Sequence, residues 1–189
     1  GFCTVHSGGD NGALGCSLMF NVLLPYAEGR RGPAHLRKEH VRPLVAEPRL
    51  LIVRLVAPFL NEVLVSLHAP HHGRPAAERQ AFWTHVGHMF SKYHPTMVFA
   101  DANAQIGDLT SEWVSNAVFP SAEDPNGVAF HEVLATHHLH AINTLVPNKD
   151  PYTFTSIRGT RKRIDYVCLA PAWLPAVTAC SVLHDVDTL

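Results

Sequence analysis

Alternating and continuous runs of apolar residues divide the chain into short predicted β-strands and one long predicted helix. The chain begins with two short strands around a glycine-rich turn, and the second strand, within 15–24, is apolar enough to be buried. Residues 49–57 and 62–67 are rich in Leu, Val and Ile, which predicts a β-hairpin across 58–61. By contrast, four prolines and many charges in 25–48 predict an exposed connection.

The segment from about Ala76 to Tyr93 has the spacing of a helix with one apolar side. Phe82, Val86, Met89 or Phe90, and Tyr93 recur at helical intervals and predict a stripe that packs on the core. Further short helices are predicted near Leu109–Ala117 and Gly127–His138, and strands at Thr96–Ala100, Ala141–Leu145, Tyr152–Thr155, Arg163–Leu169 and Val177–Leu183. Strands outnumber helices, and hairpins mix with strand–helix–strand units, which predicts α/β or α+β layers in a single domain, 1–189.

The composition favours a globular domain, and its charged residues are unevenly distributed along the chain. The 189 residues are 47% hydrophobic and 16% charged, and the net charge is -1, so no global basic surface marks a nucleic-acid binder. Basic residues nevertheless concentrate in 30–54 and 158–163, on either side of an acidic region at 101–132. This distribution would suit a phosphodiester substrate, although solvated surface charge explains it equally well.

The cysteines and the apolar stretches favour an intracellular protein without a membrane span. The four cysteines are widely spaced and form no C-x-x-C pair, which predicts reduced thiols in a reducing compartment. The most apolar stretch, 50–67, is interrupted by Arg54, Asn61 and Glu62 and cannot span a membrane. We also expect no signal peptide within these 189 residues.

Three polar residues stand at the ends of apolar, strand-like runs. Asp101 follows 96–100 and is separated from Asn103 by one residue, so the two can orient a water or bind a hard cation, or simply close a turn. His68 ends the second hairpin strand and could donate to a phosphate. Asp165 lies inside a buried-type strand, where a carboxylate needs a partner, either an imidazole or a neighbouring arginine.

Four segments, in this order, resemble motifs of the endonuclease/exonuclease/phosphatase superfamily. The order and plausible spacing of the four are more specific than any one of them. They are His68-Ala69-Pro70, Phe99-Ala100-Asp101-Ala102-Asn103-Ala104, Tyr152-Thr153-Phe154-Thr155 and Arg161-Lys162-Arg163-Ile164-Asp165-Tyr166-Val167.

The resemblance implies a four-layer α/β/β/α sandwich and hydrolysis of phosphate esters with Mg²⁺ or Mn²⁺. By carry-over, Asp101 would align or deprotonate the attacking water, Asn103 would hold that water or the phosphate, and both would be metal ligands. His68 would contact the phosphate, and Asp165 would orient a catalytic histidine. We assign substrate contacts to the remaining candidates, which are His71, Arg161, Arg163 and Phe154. Nucleic acid is the expected partner, with DNA favoured over RNA.

The chain departs from the family pattern at both ends. An early asparagine, a metal-binding glutamate and a final Ser-Asp-His have no counterpart, and His184-Asp185 is better interpreted as a strand end. We therefore expect a fold that is incomplete at its N- and C-termini, and little or no activity in these 189 residues alone. Two alternatives stay open: a lipid or inositol-phosphate esterase of the same superfamily, and a degenerate domain that binds a partner without catalysis.

Overall fold

The strands and helices follow the predicted order, with more strands than the sequence indicated. The computed structural model describes residues 1–8, 15–30, 32–115, 121–147 and 150–183. The strands are β1 (Phe2–Ser7), β2 (Cys16–Asn21), β3 (Pro25–Gly29), β4 (Gly32–His35), β5 (Val41–Glu47), β6 (Leu50–Ala57), β7 (Leu60–His68), β8 (Met97–Asp101), β9 (His140–Ala141), β10 (Phe154–Thr155), β11 (Arg161–Lys162) and β12 (Asp165–Leu169). The helices are α1 (Ala76–Tyr93), α2 (Pro125–Thr136) and α3 (Ile142–Leu145), with 3₁₀ turns at Lys38–His40 and Pro171–Ala176.

A six-stranded mixed sheet forms the centre of the protein, in the order β5-β6-β7-β8-β12-β9. Strands β7 and β8 run parallel, and α1 connects them, whereas the other neighbours in this sheet are antiparallel. A crossover helix is what a parallel pair requires, because a tight turn cannot bring the chain back to the starting edge. The α/β class predicted from the sequence is therefore confirmed.

The two faces of this sheet are buried against different layers. Alternate side chains of β7 point to opposite sides: Val65 packs with the helical layer, which includes Trp83 and Phe130, whereas Leu64 packs with the β1–β2 hairpin. Three layers of the predicted sandwich are thus present among the described residues: helices, the central sheet, and the small β1–β2 sheet.

The segment 25–48 is not the exposed connection that its prolines indicated. It contains β3, β4 and the edge strand β5. Pro25 begins β3, and Pro43 lies in β5 where its register with β6 shifts. Edge positions and irregularities are where a strand tolerates proline, because no ladder N–H is lost there.

Three other predicted elements differ from the structure. Residues 109–115 form no helix, because the Ser111 hydroxyl accepts the N–H groups of Trp113 and Val114 and closes a local turn instead. The strand predicted at 141–145 ends at Ala141 and continues as α3. Residues 177–183 carry no strand, and the prediction at His184-Asp185 lies outside the described residues.

We predict opposite effects of alanine at two helical glycines. The Cβ of Gly127→Ala would lie well inside van der Waals contact of the Gln105 carbonyl oxygen, so the substitution should lower the free energy of unfolding by about 1–3 kcal/mol. At Gly87, in α1, a Cβ meets no atom within 4 Å, so alanine should raise stability by about 0.5–1 kcal/mol through its helix propensity. Urea unfolding of both variants checks this, and equal effects would contradict the close approach of Gly127 to the Gln105 carbonyl.

Candidate active site

Three of the predicted site residues lie side by side on neighbouring strands. In the parallel register of β7 and β8, His68 is opposite Asp101, and in the antiparallel register of β8 and β12, Asp101 is opposite Asp165. Residues in register across a sheet point to the same face, so the three side chains form one row at one edge. This row lies on the face that carries the β1–β2 hairpin.

The central contact of the row joins His68 and Asp101. His68 Nε2 lies 3.6 Å from Asp101 Oδ2, and the two side chains are 36% and 39% exposed. The other oxygen of the carboxylate, Oδ1, accepts the backbone N–H of Asn103 at 3.3 Å. Asp101 is therefore held by its own turn while one oxygen faces the imidazole, an arrangement that can receive or orient a proton.

Asp165 lies in a more buried setting than its neighbour. Burial raises the pKa of its carboxyl above the ordinary 3.8, the nearby charge of Asp101 raises it further, and a hydrogen bond from Thr153 and the charge of His68 oppose the rise. Two carboxylates on adjacent strands repel each other, so a cation would be favoured beside them.

The row opens into a cleft of about 630 Å³ between the central sheet and the β1–β2 hairpin. Its walls also include Cys16, Thr153 and the segment Cys180–Val182. Burial raises the pKa of the Cys16 thiol, so this group is protonated and a poor nucleophile at neutral pH. A second cavity of about 530 Å³ lies between α1 and α2 and shares no residue with the cleft.

The Asn103 side chain supports the backbone. Its Nδ2 donates to the Ala69 carbonyl at 2.9 Å, and its φ of 45° places it in the left-handed region. The amide nitrogen therefore joins the turn after β8 to the loop after β7. In this conformation, that nitrogen is used by the protein and not by a phosphate.

Asn126, which the sequence did not predict as a site residue, binds the loop after β7 and the turn after β8. It is only 2% exposed, and its Nδ2 donates to the carbonyls of Pro70 at 2.8 Å and Asn103 at 3.0 Å. Its Oδ1 accepts from the Trp83 indole at 3.2 Å. No local sequence signal marks it, because its partners lie 43, 56 and 23 residues away.

Arg163 lies in the core, where a substrate cannot reach it. It is 1% exposed, its Nη1 donates to the Asn143 carbonyl at 3.0 Å, and its guanidinium lies 5.7 Å from the centre of the Tyr166 ring. Asn143 in turn donates to the Asp165 carbonyl at 2.8 Å. The substrate contact expected of Arg163 is therefore replaced by a structural one that supports the strand carrying Asp165.

Two other predicted substrate contacts, Phe154 and Arg161, lie in the small β10–β11 hairpin, which follows Thr153 along the chain. Thr153, on the cleft wall, accepts the N–H groups of Ile164 and Asp165 at 3.0 and 3.1 Å. Next to it, Phe154 is exposed, and Arg161 packs 4.3 Å from the centre of the Tyr152 ring.

His71 lies in the exposed loop after β7. Its Nδ1 accepts the Gly73 N–H at 3.1 Å, which fixes the ring in a local turn. The loop itself is bound to the site, because the Ala69 N–H, two residues earlier, donates to the Asp101 carbonyl at 2.8 Å.

The donor set at the row fits a hard cation only in part. Mg²⁺ is commonly held by one or two carboxylates, with waters and substrate phosphates completing its shell, and Asp101 and Asp165 supply two such groups. Across the described ranges, however, no three His, Cys, Asp or Glu side chains are grouped so as to hold a metal ion by themselves. Protein side chains therefore offer a partial shell for Mg²⁺ or Mn²⁺.

Comparison with solved structures finds a similar fold in an exonuclease, an endonuclease domain and a 3′ phosphatase. The 3′-5′ exonuclease NExo of Neisseria meningitidis matches with a TM-score of 0.63 and 15% identity, over 100% of this chain and 75% of that one. The endonuclease domain of TRAS1, a telomere-specific non-LTR retrotransposon, matches with a TM-score of 0.54 and 15% identity, over 92% and 69%. A structure of the 3′ phosphatase NExo from Neisseria bound to a product DNA hairpin matches with a TM-score of 0.51 and 14% identity, over 91% and 68%.

The chain shares the fold of these proteins, which is consistent with the endonuclease/exonuclease/phosphatase-type fold that the four motifs implied. No protein-family model matches the sequence, and no curated protein matches it either. At 14–15% identity the likeness defines the fold, and the chemistry has to be argued from the row and its cleft.

We predict that Asn126→Ala destabilises the protein by about 3 kcal/mol, because three buried groups lose a hydrogen-bond partner. Chemical unfolding measures this. Asn61→Ala is the matched control, since Asn61 makes one exposed hydrogen bond, to Arg54 Nε, and its loss should matter little. Similar losses for the two variants would show that Asn126 does not hold the loops.

Asp165 gives a prediction about stability and pH. Because the pKa of Asp165 is raised on folding, the folded protein binds more protons than the unfolded chain between pH 3.8 and the raised value. The contribution of Asp165 to the free energy of unfolding therefore falls as the pH rises through that window. Asp165→Asn should therefore raise the melting temperature at pH 7 and leave it nearly unchanged near pH 3. An equal change at both pH values would contradict the burial described here.

Proposed function

We propose that the chain is a metal-dependent phosphodiester hydrolase of the nuclease type that acts on DNA. The observation that carries the proposal is the row of His68, Asp101 and Asp165, which three strands bring together in one cleft. The structural likeness to an endonuclease domain and an exonuclease also supports the proposal.

Each residue of the row has a chemical role in this proposal. Asp101, fixed by the Asn103 N–H, orients the attacking water and accepts its proton. His68, beside it, donates to a phosphoryl oxygen. Asp165 contributes negative charge and a hydrogen-bond acceptor at the far end of the row. A divalent cation bound by the two aspartates would neutralise charge on the phosphoryl oxygens.

The rim of the cleft favours a polynucleotide over a compact substrate. Phe154 offers an exposed aromatic face on which a base can stack. Arg161, opposite Thr155 on the paired strand, packs its guanidinium on the Tyr152 ring. Among the described helices, none is long and apolar enough to cross a membrane. The free cysteines, Cys3, Cys16, Cys168 and Cys180, agree with the reducing compartment we propose for the protein.

A lipid or inositol-phosphate esterase is the alternative enzyme, and a groove that binds without turnover is the alternative outside catalysis. The partial set of metal ligands among the described residues favours little or no turnover in these 189 residues alone. Metal binding and DNA binding are therefore measured beside hydrolysis, so that a slow enzyme can be distinguished from a binding domain.

We predict that Asp101→Asn weakens Mn²⁺ binding and lowers Mg²⁺-dependent cleavage of a duplex oligonucleotide at least about 100-fold, because the proton acceptor is lost. Mn²⁺ affinity is measured by water-proton relaxation and cleavage by gel analysis. Asp165→Asn should also weaken Mn²⁺ binding. Asp108→Asn is the matched control, since Asp108 is exposed and lies outside the cleft.

The outcomes separate the three functions. Cleavage of DNA that Asp101→Asn abolishes supports a nuclease, whereas preferred hydrolysis of sphingomyelin or an inositol polyphosphate supports the alternative enzyme. DNA binding without cleavage, equal in the wild type and both aspartate variants, would support a binding domain and contradict the proposal.

A further inference from the structure

A second group of reactive side chains lies outside the cleft and is formed by Ser111, His131 and Glu123. Ser111 Oγ is 2.7 Å from His131 Nε2, and His131 Nδ1 is 2.7 Å from Glu123 Oε1. None of the three lines the cleft that contains Asp101. The nucleophilic hydroxyl, the base and a carboxylate that orients the base are thus joined in series.

The hydrogen bonds define the direction in which a proton moves. A carboxylate only accepts, so the bond to Glu123 places the His131 proton on Nδ1 and leaves Nε2 as an acceptor. The Ser111 hydroxyl then donates to Nε2. This is the tautomer that a general base needs if it is to remove the hydroxyl proton.

The exposure of the three residues differs: the base and its carboxylate are largely buried, and the hydroxyl is accessible. The Glu123 and His131 side chains are 5% and 14% exposed, so their pair is shielded from water, while Ser111 is exposed. The N–H groups of Trp113 and Val114 also donate to Ser111 Oγ, both at 3.2 Å. They fix the position of that oxygen beside His131 Nε2.

We propose that Ser111 is a nucleophile activated by His131 and Glu123, and that it reacts with small activated carboxylic esters. Ser111 Oγ attacks the ester carbonyl while Nε2 takes the hydroxyl proton. The bond to the alcohol oxygen then breaks, and that oxygen leaves with the proton from Nε2. A water, deprotonated by Nε2, cleaves the acyl–Oγ bond and releases the acid, and the Ser111 hydroxyl is restored. The exposed position of Ser111 favours small substrates.

The test uses the full chain with p-nitrophenyl acetate and, separately, a fluorophosphonate probe that labels activated serines. We expect release of p-nitrophenolate and an adduct that peptide mass spectrometry assigns to Ser111. Ser111→Ala should abolish both, and His131→Gln should lower both about 100-fold. Glu123→Gln should lower both at least about tenfold, because the tautomer is no longer fixed.

Two matched controls distinguish this reaction from general surface reactivity. Ser91→Ala removes an exposed serine whose hydroxyl donates to the Gly87 carbonyl, and His85→Gln removes a histidine paired with Glu47 at 2.8 Å. Neither control should change labelling or hydrolysis. Thermal melts by circular dichroism confirm that the variants are folded.

A spectroscopic measurement on the wild type makes the test independent of folding in the variants. The ¹⁵N shifts of His131 should show the Nδ1–H tautomer at neutral pH. An Nε2–H tautomer, no label on Ser111 in the wild type, or equal labelling in folded His131→Gln would each overturn the proposal and leave these contacts a purely structural link between the loop and α2.

Discussion

The parallel pairing of β7 with β8 is the constraint on which the site depends. Helix α1 packs Trp83, Val86 and Phe90 against one face of the sheet and returns the chain to the starting edge, so both strands end at the same side. Only this arrangement places His68 beside Asp101 at two strand ends. A slip of one residue would turn one of the two side chains to the helical face and destroy the row.

The row places one of its two carboxylates, that of Asp165, closer to the core than its charge favours. Asp165 reflects this conflict, because burial and the neighbouring Asp101 both raise the pKa of its carboxyl. The conflict is tolerated because backbone N–H groups and Thr153 hold the strand in place, while apolar clusters pack on both faces of the sheet. Stability is thus lost at Asp165 and supplied by the packing elsewhere in the sheet.

The sequence predicts what local pattern determines and misses what distant contacts determine. The hairpin of β6 and β7 and the whole of α1 follow from their apolar spacing, and the order of motifs identifies the row. The sequence does not predict the strands within 25–48, because its prolines indicate a loop. Prolines are tolerated at the edge of a sheet, but the local sequence does not show which strand lies at an edge. Its position near Asp165 in the sequence predicts a substrate contact for Arg163, but sequence proximity does not tell which side chain points into the core.

The segment after Asp101 is held by contacts that the local sequence cannot predict. It has no regular secondary structure up to residue 115, yet it is fixed at three points along its length. Asn126 holds the Asn103 carbonyl, Arg163 donates to the Ile106 carbonyl at 3.4 Å, and His131 bonds the Ser111 hydroxyl. In this segment, side chains from other elements fix the chain in place, whereas in a strand backbone hydrogen bonds do so.

Helix α2 supplies two of these three anchors, and it thereby connects the cleft to the group formed by Ser111, His131 and Glu123. Asn126 lies in its first turn and reaches towards the cleft, whereas His131 lies further along and reaches the Ser111 turn. Between these two contacts, the fully buried Ile106 anchors the segment in the core. Because the two groups share a helix but no partner, losses of stability at Asn126 and His131 should add, and any failure to add would measure how far the segment moves as one unit.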